Sequence, residues 1–131
     1  AKCTARGLAK LAAVMACGGS LGGKKVLSDQ AHQKLHDGIE TRNMAFIDTA
    51  FSQGGVNHFG GDGIGNDVLN DGLHKGREGF FGWMGLGGSI FQWHPELKIG
   101  FAYIPTSLNI LDVVNSRGKI YQEVVRECVE S

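Results

Sequence analysis

An α+β fold is predicted, an antiparallel sheet of three or more strands flanked by an N-terminal and a C-terminal helix, on three observations. Near the start, Leu8, Leu11, Ala12 and Met15 recur at helical spacing. Near the end, Ile120, Val124 and Cys128 do the same. Between them lie three short runs of aromatic and aliphatic residues, 80–84, 89–93 and 98–104, divided by glycines or by a turn containing Pro95.

The first helix is expected over residues 5–17. Thr4 is a suitable N-cap, and Gly18-Gly19 supply the stop. Residues 21–27 read as a short turn carrying Gly22-Gly23, and Ser28 caps a second helix over 29–37 that ends at Gly38. The stretch 43–72 is the least regular. Residues 45–51 fit a strand, whereas 53–55 and the glycine-rich 60–67 read as loop with several positive-φ positions. The run 80–84 opens a three-stranded meander, and His94-Pro95-Glu96-Leu97 forms the turn between its second and third strands, where the missing N–H of Pro95 costs nothing. In the final helix Tyr121 and Val125 flank the apolar row, and Lys119, Glu123, Arg126, Glu127 and Glu130 lie on the other side. The apolar stripe is therefore expected to lie on the sheet.

A chain of 131 residues makes one domain, residues 1–131, with a modest core. With 42% hydrophobic and 20% charged residues the composition is that of a globular domain and not of a disordered segment. Lys+Arg and Asp+Glu both number 13, so no basic face is implied and nucleic acid is not expected as a partner. No apolar run approaches membrane-spanning length, and the longest near the start, 8–17, is broken by Lys10 and lacks a signal-peptide layout. Cys3, Cys17 and Cys128 are odd in number and form no CxxC, which predicts reduced thiols in an intracellular compartment, cytoplasmic or organellar, and no zinc site. The chain begins at Ala1 and not at a methionine, so it is expected to be cut from something longer.

Other candidate sites are weak. His32 and His36 are four apart on a helix, a zinc-compatible spacing, but Lys34 lies between them and a solvated face is expected. His58, His74 and His94 have no partners that the sequence identifies. Asp62, Asn66, Asp67, Asn70 and Asp71 do not follow the EF-hand order, so they too are expected to be a solvated loop. The glycines at 61, 63 and 65 lack the spacing of a dinucleotide fingerprint. No cofactor is expected.

The most specific segment is Trp83-Met84-Gly85-Leu86-Gly87-Gly88-Ser89, a strand that ends in a dense glycine run and re-enters a hairpin carrying His94-Pro95-Glu96 and Ile99-Gly100-Phe101-Ala102-Tyr103. Glycines there let another group approach the backbone closely, so that N–H groups can face a ligand. The segment resembles the third box of the serine β-lactamase/penicillin-binding-protein superfamily in its class C and esterase-like branch, and residues 5–11, 18–19 and 26–28 are similar to the family's sequence upstream of that box. The resemblance covers about residues 4–129 and implies part of a β-lactamase/transpeptidase-like fold. It also implies a C-terminal fragment of a serine hydrolase acting on an ester or amide through an acyl-enzyme. Trp83, Met84 and Gly85 would form the substrate wall, and the Leu86 backbone N–H would be one donor of an oxyanion hole. Trp83 stands where β-lactamases carry a cation for the substrate carboxylate, which argues against penicillin-type substrates. The family's Ser-x-x-Lys box lies upstream of the third box. Here the pattern occurs only at Ser116-Arg117-Gly118-Lys119, beside the last helix, and reads as coincidence. The nucleophile is therefore expected outside this chain, which alone is expected to be inactive. The expected partners are a small-molecule substrate in the full-length protein and, for the apolar surface left open, either the missing N-terminal part or a second copy of the chain. The rival expectation is a catalytically inactive structural or interaction domain derived from the family.

Overall fold

The computed structural model describes residues 2–131. Its elements run α1 (Ala5–Ala16), β1 (Ser20–Leu21), β2 (Lys24–Lys25), α2 (Asp29–His36), β3 (Glu40–Met44), β4 (Ile47–Phe51), β5 (Asn57–His58), α3 (Val68–His74), β6 (Phe81–Met84), β7 (Ile90–His94), β8 (Ile99–Tyr103) and α4 (Ser116–Glu130). Strands β3 to β8 form one six-stranded sheet in chain order, every neighbouring pair antiparallel. The α+β expectation holds, with six strands where three or more were expected, and the strand read at 45–51 is β4.

Helix α1 starts where Thr4 Oγ1 accepts the Gly7 N–H at 3.1 Å, and it stops at Gly18 and Gly19, both in the left-handed region. It lies against β8 at Gly100, where a Cβ would run into the backbone of Ala13. Ala12 and Ala16 of α1 join Val56, Phe81 and Trp93 in the core on this face of the sheet. The opposite face carries Phe59, Leu73, Phe80, Ile90, Ile99 and Phe101. Strands β7 and β8 are thus covered on both faces, as is the start of β6 at Phe81 and Gly82, which accounts for their near-continuous aromatic and aliphatic runs.

The irregular middle is more ordered than its sequence suggests. The turn at 22–23 is the tip of the small β1–β2 hairpin. The edge strand β3 is exposed and polar, and β5 has only two residues. Helix α3 forms in a stretch read as loop, because the Asp67 carboxylate accepts the N–H groups of Leu69 and Asn70, both at 3.0 Å, and Leu73 is buried.

Helix α4 corrects the expectation most strongly. Its buried residues are Gly118 and Gln122, whereas Ile120 is 62% and Val124 53% exposed. The stripe meant for the sheet faces outward. The reason is a polar anchor: Gln122 Nε2 donates to Gln92 Oε1 of β7 at 2.7 Å, and Gln122 Oε1 accepts from the buried Arg77 Nε at 3.2 Å. A buried amide left unpartnered costs more than a solvated valine, so this network sets the rotation of the helix.

Candidate functional site

Strands β6 and β7 part after the pair Met84–Ile90, and residues 85–89 close the hairpin. The Gly85 N–H donates to Ser89 O at 2.8 Å, and the Gly88 N–H donates to Gly85 O at 3.2 Å. This places Leu86 and Gly87 at the two central positions of a β-turn. Gly87 has φ 98° and Gly88 φ 116°, values that side chains rarely adopt. A positive φ at the second central position is the signature of a type II turn. Among the described residues nothing accepts the Leu86 N–H. Leu86 itself is 69% exposed.

The sequence-derived wall residues divide between the two faces. Trp83 pairs with Phe91 on the α1 face, is 45% exposed and lies 6.5 Å, ring centre to ring centre, from Phe51. Met84 turns to the other face and packs on the core around Ile90. Gly85 begins the turn. Trp83 and Leu86 are therefore the exposed side chains next to the free N–H.

The loop is held by a segment that sequence reasoning missed. Asn115 Nδ2 donates to Gly85 O and to Ser89 O, each at 3.0 Å. Arg117 Nη2 donates to Gly87 O at 2.8 Å, and the Asn109 N–H reaches the same oxygen at 3.1 Å. Asp112 Oδ1 accepts the Ser116 N–H at 2.7 Å and the Ser116 hydroxyl at 2.8 Å, while Oδ2 accepts from Arg117 Nε at 3.2 Å. Burial alone would raise the Asp112 carboxyl, but these donors hold it below the usual carboxylate range. Ser116 therefore serves as a capping partner of Asp112, and Lys119 Nζ donates to Gly72 O at 3.1 Å, so both ends of the formal Ser-x-x-Lys have structural partners.

Four of the five histidines are also structural, whereas His58 Nδ1 is buried without a hydrogen-bond partner among the described residues. His32 Nε2 donates to Met15 O at 2.7 Å and His36 Nδ1 donates to His32 O at 2.7 Å, so the solvated face expected for this pair is a docking face. His74 Nε2 donates to Asp48 O at 2.9 Å and His74 Nδ1 accepts the Gly60 N–H at 3.2 Å, while His94 Nδ1 accepts the Leu97 N–H at 3.2 Å. Of the polar residues at 62–71, Asp62, Asn66, Asp67 and Asp71 are exposed as expected, whereas Asn70, on α3, is buried and donates to Asp48 and Asp67. Among the described residues no group of three or more metal-ligating side chains comes together.

The cavities do not coincide with the glycine loop. One of about 580 Å³ is lined by Ile39, Thr41, His58, Gly60, Gly61, Asp62 and Gly63. It lies by His58, which pairs with Phe81 at the start of β6, the end remote from Gly85. A smaller one of about 260 Å³ includes Met84. Neither of these cavities is lined by residues 85–89.

The architecture, a six-stranded antiparallel sheet with helices on both faces, matches part of a β-lactamase-like carboxylesterase fold. The solved structure that shows this is described as a family VIII carboxylesterase, with a TM-score of 0.58 and 19% identity, and the match covers 88% of this chain and 31% of that one. No family model matches the chain, and no curated protein matches it in sequence.

Proposed function

We propose that these residues are the C-terminal part of a β-lactamase-like serine hydrolase that cleaves an ester or amide through an acyl-enzyme. In this reading the chain supplies the wall at Trp83, Met84 and Gly85 and one oxyanion donor, the Leu86 N–H. The nucleophile and its base come from sequence outside these residues, and the outward apolar stripe of α4 is covered by the remainder of the hydrolase. The observation that carries the reading is the unpartnered Leu86 N–H at the first central position of a glycine-built turn. A donor already oriented and free of a protein acceptor is what a developing oxyanion needs, since it costs no reorganisation as charge builds up. Trp83 offers an apolar face without a cation, which fits an uncharged acyl group better than a carboxylate-bearing one. The chemistry needs no cofactor.

The test uses the same turn. Proline is favoured at the first central position of a type II turn, so Leu86→Pro removes the N–H while suiting the backbone. In the complete open reading frame that contains these residues, turnover of p-nitrophenyl esters should fall by about 10²–10³ in kcat in L86P, the loss typical of one oxyanion donor. The 131-residue chain alone should show no turnover. A complete frame with no Ser-x-x-Lys upstream and no ester turnover would overturn the hydrolase reading. That result would favour a catalytically inactive structural or interaction domain, for which the exposed Leu108, Ile110, Leu111 and Val113 supply apolar surface.

A further inference from the structure

We infer that Asn115 is a positioning residue for the 85–89 loop, holding the Leu86 N–H in place through the carbonyls of Gly85 and Ser89. The inference rests on the reading of Leu86 as an oxyanion donor. Asn115 precedes the first turn of α4 in the left-handed region, with φ 53° and ψ 44°, a conformation asparagine tolerates better than most residues. In that place its side chain would ordinarily cap the helix, yet it makes no capping bond. Asp112 has taken over the cap through the Ser116 N–H. The Asn115 amide is thereby released, and both of its hydrogens are committed, one to each carbonyl at 3.0 Å.

Those two carbonyls mark the points where the loop leaves β6 and re-enters β7. Each also accepts an N–H from within the loop, from Gly88 and from Gly85. One amide therefore bridges both ends of the turn and sets its width. Asn115 is itself fixed, since its carbonyl accepts from Arg77 Nη2 at 3.2 Å and Arg77 is fully buried. Geometry of this kind matters because an oxyanion donor works only within about 0.5 Å of its productive place. A loop of glycines cannot supply that order from its own backbone, which has more freedom to lose than any other residue.

Two variants separate positioning from general anchoring of α4. Asn115→Gly keeps the left-handed backbone and removes the amide, and Asn115→Asp keeps the shape but turns a negative oxygen toward two carbonyls. In the 131-residue chain, N115G should speed amide exchange at Gly85 and Gly88 by roughly tenfold while leaving α1 protected. The Leu86 order parameter should fall from about 0.85 toward 0.6. N115D should disturb the loop more than N115G. Unchanged loop amides, an equal acceleration at every amide, or an N115D loop as ordered as wild type would overturn the inference. In the complete reading frame N115G should lower kcat for p-nitrophenyl esters toward the about 10²-fold loss that a misplacement of about 1 Å brings, with little change in KM. Wild type without turnover would end the hydrolase reading and leave the loop measurements to decide positioning. Full turnover by an N115G enzyme whose loop has lost its order would end the positioning role and leave the hydrolase reading standing.

Discussion

Trp93 Nε1 donates to His36 Nε2 at 2.8 Å, and this bond fixes α2 to the sheet in one protonation state only. His36 Nδ1 faces the carbonyl of His32, so it carries the proton, and Nε2 must stay bare to accept from the indole. Burial holds the His36 pKa below its ordinary value; the neighbouring His32 adds to this, and the hydrogen bond to the His32 carbonyl and the charge of Asp37 oppose it. His58, His74 and His94 are lowered too, in each case chiefly by burial.

A pH dependence follows, with a defined sign. Histidines whose folded pKa lies below the unfolded value bind more protons when unfolded, so stability rises with pH across that interval. Their contribution is complete above the unfolded value of about 6.5 and is lost as the pH falls below it toward the folded values. The carboxylates held low, Asp29, Asp48, Glu78 and Asp112, titrate in a more acidic window. Urea midpoints should therefore decline between about pH 7.5 and pH 5. His36→Gln, which stays neutral and can still accept from Trp93, should flatten that decline by one histidine's share. An H36Q profile parallel to wild type would show that His36 does not titrate with folding.

Arg77 is the second buried group whose loss should be costly. Its guanidinium donates to Gln122 Oε1, Leu73 O, Val114 O and Asn115 O, at 3.2, 2.8, 3.0 and 3.2 Å, and no carboxylate is among these partners. Burial lowers its pKa to about 10, with Glu123 and Asp112 opposing the shift through their charges, so it remains cationic at neutral pH. Arg77→Met preserves bulk but strands a side-chain oxygen and the carbonyls of Leu73 and Val114, while the Asn115 carbonyl keeps the Lys119 N–H at 3.1 Å. At about 1–3 kcal/mol for each buried acceptor left unmade, partly relieved by relaxation and water, a loss of about 3 kcal/mol or more is expected. Urea denaturation of R77M checks this, and a change under about 1 kcal/mol would show that water replaces the guanidinium. The variant should also loosen Asn115, and with it the 85–89 loop.

The periodic elements were legible because apolar residues repeat along them, although the period does not report which positions are buried: Leu11 of the α1 stripe is 51% exposed, and Val14 beside it is buried. Helix α1 presents Ala12 and Ala16 to β8, and β6 to β8 carry apolar residues on both faces, so patterning alone found them. Strand β3, Glu-Thr-Arg-Asn-Met, is an exposed edge with no apolar alternation to read. Helix α3 contains Asn70, Asp71 and Gly72, all poor helix formers, and exists through its Asp67 cap and one buried leucine. The rotation of α4 was misread because its anchor, Gln92, lies thirty positions away and is polar, and no apolar period reports such a pairing. The glycine turn at 85–88 could be read locally. Its clamp could not, since an asparagine in a loop looks like any turn residue until its amide is seen reaching two distant carbonyls.

Gly118 puts the seat of α4 to a direct test, because two effects of opposite sign meet there. Within a helix, replacing glycine by alanine ordinarily stabilises by about 1 kcal/mol. Here a Cβ would stand 2.6 Å from Ile90 Cδ1 and 2.8 Å from Tyr103 Cδ1, and Tyr103 is already stacked on Tyr121 with ring centres 5.7 Å apart. Ile90 is buried in the core and has little room to yield. Forcing a methyl into a packed contact typically costs about 1–3 kcal/mol, so overpacking should exceed the propensity gain. Gly118→Ala should therefore be less stable than wild type by about 1 kcal/mol, a fall in Tm of roughly 3–5 °C for a domain of this size. Near-ultraviolet circular dichroism should change as the tyrosine pair shifts. A G118A protein more stable than wild type would mean that propensity prevails and that α4 does not sit closely on β7 and β8.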